Sequence, residues 1–376
     1  MNGPVRRVAL GLFVAFFLLA LDITYWQIIA ADRLRVHPDN PRVLIAQSGR
    51  QRGQIISSDT AVLATSVGDP SDPRYYVRDY PYGALYAHTV GFSSRLFGDS
   101  GIESSHASVL ASRQDLTVSG IINRLLGEDL RPRSLQLTLN HHLQQMAQRA
   151  LGSRRGAVVA IEPSSGRLLA LVSSPTFDPN SLVGPGAATV WEALRTDADR
   201  PLVNRATGTS LPGELLPEAS LVTLPPEGDA LPVAALPLGL RAATAAGGGV
   251  LMRPHIVARV FDSASNLESE TEPVSLAIPL DVDEALAIQA GMDPLAIPTE
   301  TLGQLSGLGE TGSGYTGTGG QAVWFTGFVP IGQPAIVVAV VIESLDPGAE
   351  PGIGSAEAAS IARAIMREWL DTQGPG

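Results

Sequence analysis

The sequence predicts an α+β protein in which helices cover an antiparallel sheet. Two pairs of apolar strands indicate the sheet, and they span residues 156–161 with 168–172 and residues 323–328 with 335–343. The spacing of Ile361, Ile365 and Trp369 predicts a helix over 356–370 that packs on this sheet. Paired strands followed by a covering helix are typical of α+β folds.

An apolar N-terminal segment predicts a membrane anchor over residues 1–31. Arg6 and Arg7 precede an apolar run that extends from Val8 to Ile29. Such a run approaches the ~20 residues that span a bilayer, and basic residues before it hold the N-terminus in the cytoplasm. We therefore expect a single-pass protein of the cell membrane with most of the chain outside the cytoplasm. A cleaved signal peptide that ends at the same place is the alternative.

The part of the chain after the anchor divides near residue 135. Residues 32–135 are irregular, with turn clusters and short extended pieces, whereas residues 136–376 contain the predicted sheet. Directly after the boundary, Asn140 predicts the N-cap of a helix. Residues 207–239 contain six prolines and are expected to form a loop.

Composition excludes several classes of function. The net charge of −11 argues against nucleic-acid binding, which depends on neutralising phosphates. The absence of cysteine excludes disulfides, thiolate catalysis and cysteine-based zinc sites. All 26 basic residues are arginine, so lysine general bases and Schiff bases are excluded as well. The six histidines show no metal-site spacing, and we expect no cofactor and no metal.

A series of segments, in order along the chain, resembles the class B penicillin-binding proteins, above all the penicillin-binding protein A group of actinobacteria. The segments are residues 50–55, 80–87, 101–103, 138–151, 156–180, 204–206, 247–254 and 324–330. The resemblance implies a pedestal domain over 32–135 and a penicillin-binding transpeptidase-like domain over 136–376. It also implies a role in peptidoglycan synthesis beside a membrane glycan polymerase and proteins of the divisome or elongasome.

Active members of this family use three motifs, Ser-x-x-Lys, Ser-x-Asn and Lys-Thr-Gly. A serine is a poor nucleophile unless a nearby base takes its proton, and the motif lysine is that base. In this chain the nucleophile position holds Glu214 and the base position holds Pro217. No Ser-x-Asn occurs, and 29 residues separate Pro217 from Gly247, where the family inserts the helices that carry it.

The third motif is also altered. Its positions hold Glu310, Thr311, Gly312 and Ser313, so that glutamate replaces the lysine. These four residues are the candidate binding residues, and no catalytic residue is predicted. Together the replacements add about four negative charges to a site that binds carboxylates, and like charges at ~4–8 Å repel by about 1–4 kcal/mol. We therefore expect weak binding of the peptidoglycan stem peptide and of β-lactams.

These observations predict a penicillin-binding-protein-like pseudoenzyme with a structural or regulatory role in cell-wall synthesis. One alternative is an active D,D-transpeptidase or another serine hydrolase with a non-standard nucleophile such as Ser210 or Ser313. Another is the product of a decaying gene, in which the missing helices leave one face of the sheet uncovered.

Overall fold

The computed structural model describes residues 3–25, 50–69, 75–111, 131–208, 234–276, 281–315, 321–344 and 351–373. The chain divides into two units, residues 1–49 and residues 50–376. The helices are α1 (Gly3–Thr24), α2 (Gly101–Ser105), α3 (Ala107–Leu110), α4 (His141–Leu151), α5 (Ala187–Thr196), α6 (Ala235–Ala246), α7 (Val282–Ala290) and α8 (Pro351–Gln373).

Within the described ranges, the strands belong to two large sheets and two small ones. They are β1 (Ile55–Ile56), β2 (Val62–Gly68), β3 (Tyr76–Asp79), β4 (Ser93–Ser94), β5 (Gly98–Asp99), β6 (Ser134–Leu137), β7 (Gly156–Glu162), β8 (Arg167–Ser174), β9 (Leu251–Met252), β10 (Val257–Phe261), β11 (Leu267–Glu270), β12 (Ser275–Leu276), β13 (Asp293–Pro298), β14 (Gln304–Tyr315), β15 (Gln321–Val329) and β16 (Ile336–Ser344). The fold is therefore of the mixed α+β class that the sequence predicts.

The first unit contributes helix α1 to the described residues. Large apolar side chains of this helix, among them Leu10, Phe13 and Phe16, are exposed. Among the residues that the structure describes, no helix meets the combined length and apolarity of a membrane-spanning segment. The anchor over residues 1–31 stays a prediction, and residues 1–2 and 26–31 of it lie outside the described ranges.

The larger unit is built around an antiparallel sheet with the strand order β13-β14-β15-β16-β7-β8. Both predicted hairpins are confirmed, as β7–β8 and as β15–β16. Strand β16 pairs with β7, which places the two hairpins side by side. The central strands are apolar along nearly their whole length because both faces of the sheet are covered.

Helix α6 packs on β7, β15 and β16 from one side, and α4 and α8 cover the other side. Gly239 of α6 makes this approach close, since a Cβ atom there would lie 3.0 Å from the Cδ1 atom of Ile161. Val337 and Ala339 on the α6 side are completely buried. The expectation that the missing helices leave a face of the sheet uncovered is therefore wrong for the centre of the sheet.

Two helix predictions are confirmed and one loop prediction is wrong in part. Helix α8 contains the residues predicted from 356 to 370, and Asn140 caps α4 by accepting a hydrogen bond from the Leu143 N–H at 2.9 Å. The predicted loop over 207–239 overlaps the first turn of α6. Pro237 fits that turn because the first N–H groups of a helix have no partner within the helix.

The other large sheet has the strand order β11-β10-β6-β1-β2-β3. Strand β6 pairs with β1 in parallel and with β10 in antiparallel orientation. The hairpin β10–β11 comes from residues 257–270, far along the chain from the other four strands. Residues 32–135 therefore do not complete this sheet by themselves.

A buried ion-pair cluster holds the pedestal segment together. The Glu103 carboxylate, with no exposed surface, lies 2.8 Å from Nε of Arg52 and 2.5 Å from Nε of Arg78. Arg52 also contacts Asp99 at 2.9 Å. Arg78 Nε donates a hydrogen bond to the Glu103 carboxylate, and Arg52 donates to Asp99 and to the Glu103 carbonyl oxygen. The Arg-Gly and Gly-Ile-Glu segments that resemble the family thus have an internal, structural role.

Candidate functional site

The four candidate binding residues lie on β14, next to β15. Glu310 is opposite Thr326 and Gly312 is opposite Trp324. Strand β13 pairs with residues 304–309 of β14, so that residues 310–315 pair with β15 alone among the described strands. The candidate site is therefore at an edge of the sheet.

Glu310 points to the face of the sheet that α6 covers. Its Oε1 atom lies 3.4 Å from Nη1 of Arg241, which projects from α6. Both side chains are about four-fifths buried, with 22% of Arg241 and 18% of Glu310 exposed. In this partly dry setting the two charges attract each other more strongly than an exposed pair does. The predicted count of four added negative charges omits Arg241, which offsets the charge of Glu310.

Gly312 lies on the same face, two residues further along the strand. A Cβ atom at this position would lie 2.4 Å from Cζ2 of Trp324. The indole of Trp324 therefore crosses the backbone of β14 at Gly312 and requires glycine there. On the same face Thr326 is buried, and its hydroxyl lies 3.5 Å from the Leu238 carbonyl oxygen of α6. Trp324 and Thr326 thus pack the space between the strand and the helix.

The two hydroxyl-bearing residues do not join Glu310. Successive side chains of a strand point to opposite faces, and both Thr311 and Ser313 are exposed. The structure therefore brings Glu310 and Gly312 together on one face and places Thr311 and Ser313 on the other. On the face of Glu310, the described residues thus place a carboxylate paired with a guanidinium where the family motif has a lysine.

The positions of the first motif, Glu214 and Pro217, lie outside the described residues, as does Ser210. Ser313 is described, and the hydrogen bonds that the described histidine rings make go to groups other than Ser313. A serine that acts as a nucleophile needs a base of that kind beside it.

Two family models match the chain. Residues 52–134 match the penicillin binding protein A dimerisation domain, and residues 238–367 match the penicillin binding protein transpeptidase domain. The chain belongs to the penicillin-binding protein family. The two matched ranges leave residues 135–237 between them, and this interval contains the positions of the first motif.

Curated relatives of this penicillin-binding protein carry the name peptidoglycan D,D-transpeptidase. PbpA of Mycolicibacterium smegmatis is 39% identical over 222 residues, which are 56% of this chain and 45% of that relative. MrdA of Acinetobacter baumannii is 36% identical over 165 residues, 37% of this chain and 25% of that relative. The match thus spans less than half the length of these relatives.

Solved structures show the same fold. Penicillin-binding protein A from Mycobacterium tuberculosis, solved as an imipenem acyl-enzyme complex, aligns with a TM-score of 0.68 and 23% identity. The alignment covers 87% of this chain and 100% of that chain. The D,D-transpeptidase domain of an Eggerthella lenta peptidoglycan glycosyltransferase aligns with a TM-score of 0.62 and 22% identity, over 87% and 99% of the two chains.

Sequence reasoning missed Arg241 as the partner of Glu310 and Trp324 as the cover of Gly312. The general signal for Arg241 was that buried charges are paired, but the sequence does not show which of its arginines is the partner. For Trp324 no signal was available, because the predicted hairpins did not include the pairing of residues 304–315 with residues 321–329.

Proposed function

We propose that this penicillin-binding protein acts in peptidoglycan synthesis as a non-catalytic component. The observation that carries the proposal is the ion pair between Glu310 and Arg241. Where the family motif requires a lysine, this chain has a carboxylate whose charge is engaged by a helix that packs on the same sheet. Arg241 is thus paired with Glu310 of the same chain and not with the carboxylate of an incoming substrate.

The sequence supports the same proposal independently. The aligned nucleophile and base are Glu214 and Pro217, and the chain has no lysine to take a proton from any serine. A glutamate nucleophile would give a fragile mixed anhydride, with no base placed for the next step. Each motif is altered in a different way, so the loss does not depend on a single position.

The role that we propose is structural or regulatory, at the outer face of the cell membrane. Residues 1–31 would attach the chain to the membrane, and residues 1–135 would contact a membrane glycan polymerase or other proteins of the divisome or elongasome. Two features support this: the apolar N-terminal run, whose large side chains on α1 are exposed, and the buried Glu103 cluster in the described part of the pedestal.

Covalent labelling with a fluorescent penicillin tests the loss of catalysis. The full chain is incubated with the label beside PbpA of Mycolicibacterium smegmatis, the relative that serves as the positive comparison. We expect no adduct with this chain at high label concentration and long incubation. An acyl mass shift mapped to any serine would disprove the proposal.

Crosslinking in membranes tests the structural role. Photoreactive residues are placed in the anchor, the pedestal and the transpeptidase-like domain. The full chain is used because strands β10 and β11, which come from residues 257–270, complete the pedestal sheet. We expect adducts with an envelope protein from the first two regions. Adducts from the third region alone, or release of the chain from membranes, would contradict the assignment.

A further inference from the structure

The pedestal is joined to the transpeptidase-like part by side-chain hydrogen bonds to backbone groups. We define the joint as residues 80–94 on the pedestal side and residues 173–182 with 204 on the other side. The bonds run from Asn180 Nδ2 to the Tyr80 carbonyl (2.9 Å), Tyr80 N to Asn180 Oδ1 (3.0 Å), Thr176 Oγ1 to the Ala84 carbonyl (2.9 Å), Ser94 Oγ to the Leu182 carbonyl (2.6 Å) and Asn204 Nδ2 to the His88 carbonyl (3.2 Å).

His88 lies within this joint and is 5% exposed. Its Nε2 atom is 3.3 Å from the Pro175 carbonyl oxygen. The ring meets the Phe177 ring edge-on, with 5.6 Å between the ring centroids. Because a carbonyl oxygen only accepts hydrogen bonds, Nε2 carries a proton in this contact, so the neutral form of the imidazole has Nδ1 unprotonated.

A second proton on His88 has no acceptor. Among the described residues Nδ1 is buried and has no hydrogen-bond partner. The charged group that acts on the ring is Arg205, a cation. Arg205 is paired with Glu343, whose carboxylate lies 3.0 Å from Arg205 Nε. The same carboxylate lies 3.2 Å from Arg155 Nε, so two guanidinium groups share its charge. An imidazolium ion at this place would be buried beside a like charge.

We infer that His88 makes the joint acid-sensitive: protonation of its imidazole favours opening of the contact between residues 80–94 and residues 173–182. The open joint exposes His88 to water, where both ring nitrogens can donate to solvent. This device is independent of the lost catalysis and of the proposed partner contact. It would weaken the contact between the pedestal and the transpeptidase-like part when the medium outside the cell becomes acidic.

Because the pKa of His88 is lower in the closed joint than in the open joint, acid favours the open joint. Burial, together with the charge of Arg205, outweighs the hydrogen bond to Pro175 and lowers the pKa of His88 from 6.5 to about 4. Between these two pH values the open joint binds a proton that the closed joint does not. The closed form therefore loses stability as the pH falls from 6.5 to 4. The opening equilibrium rises about 30-fold between pH 7.5 and 5, and about 300-fold in total.

Hydrogen exchange of the full chain tests this inference. Protection of backbone N–H groups in residues 80–94, corrected for the intrinsic pH dependence of exchange, is measured at pH 7.5 and at pH 5. We expect a fall of about 30-fold in the wild type. His88→Gln retains an N–H donor for Pro175 and does not titrate, so its protection is expected to be the same at both pH values.

His106→Gln is the matched control. His106 is partly buried, and burial lowers its pKa, but it lies at α2 and α3 outside the joint. This variant is expected to keep the pH dependence of the wild type. A fall in protection that persists in His88→Gln, or no fall in the wild type, would overturn the inference.

A measurement on the wild type covers the case in which His88→Gln does not fold. NMR titration of the chain with ¹³C-labelled histidine follows all six imidazoles together. We expect one of them to remain neutral down to below pH 5. Titration of all six above pH 5.5 would also overturn the inference.

Discussion

Arg241 on helix α6 and Glu310 on strand β14 form an ion pair, with 3.4 Å between Nη1 and Oε1. The pair links the helix to the edge of the sheet, where β13 has stopped pairing with β14. The site of the third motif is thus occupied by an internal contact of the protein.

Removing either partner of this pair is expected to destabilise the fold modestly. Because the two side chains are about four-fifths buried, we expect a coupling energy of about 0.5–1.5 kcal/mol in a double-mutant cycle of Arg241→Gln and Glu310→Gln. The measurement is chemical denaturation of the four proteins. The exposed pair Glu192–Arg195 on α5 is the control, and its cycle is expected to give a smaller coupling because water and salt screen the two charges. Equal couplings for the two pairs would show that burial does not strengthen the pair between Arg241 and Glu310.

Restoring motif residues is expected not to restore penicillin labelling. Glu214→Ser with Pro217→Lys returns a nucleophile and a base, yet the Ser-x-Asn motif and its helices remain missing. Adding Glu310→Lys places a cation next to Arg241, a repulsion of about 1–4 kcal/mol at close range. The three-residue variant should therefore be less stable than the two-residue variant and equally unlabelled. Labelling of either variant would show that the missing helices are dispensable.

Asp59 is expected to stabilise α4 from the other side of the predicted boundary near residue 135. Its carboxylate accepts hydrogen bonds from the N–H groups of His141 at 2.8 Å and His142 at 3.3 Å, the first two residues of the helix. Partial burial opposes ionisation, but hydrogen bonds from Ser57 and from these N–H groups outweigh it and lower the pKa of Asp59 below 3.8.

Asp59→Ala should therefore cost about 1 kcal/mol of unfolding free energy at pH 7, as the loss of other helix caps does. A lowered pKa stabilises the folded state above pH 3.8, and this contribution is lost as the pH falls through the folded-state pKa. The difference between wild type and variant should shrink below pH 3.8. Asp293→Ala, at an exposed position of β13, is the control and should be close to neutral. A difference that is constant down to pH 2.5 would contradict the capping role.

Glu103→Gln is expected to be severely destabilising. The amide removes the charge shared by Arg52 and Arg78, so that Arg52 keeps Asp99 alone and the buried Arg78 loses the carboxylate that it contacts. Breaking a buried pair in this way costs about 3–5 kcal/mol. Glu268→Gln, which removes the partly exposed pair with Arg133, should cost less than about 1 kcal/mol. Thermal or denaturant unfolding distinguishes the two, and similar losses would show that the cluster is not buried in solution.

The sequence by itself determined the elements whose signals are local. The alternation of apolar residues identified the two hairpins, the spacing of Ile361 and Ile365 identified α8, and Asn140 identified the start of α4, because each of these depends on neighbours within a few residues. The altered motifs were also visible, since Glu214, Pro217 and Glu310 are changes of residue type at aligned positions.

Tertiary structure decided which distant segments meet. The addition of β10–β11 to the sheet of β1–β3, the pairing of Arg241 with Glu310 and the burial of His88 beside Pro175 all join segments far apart in the sequence. Local periodicity carries no information on such contacts. They depend on how the side chains of already formed helices and strands pack and on which charges lie opposite each other.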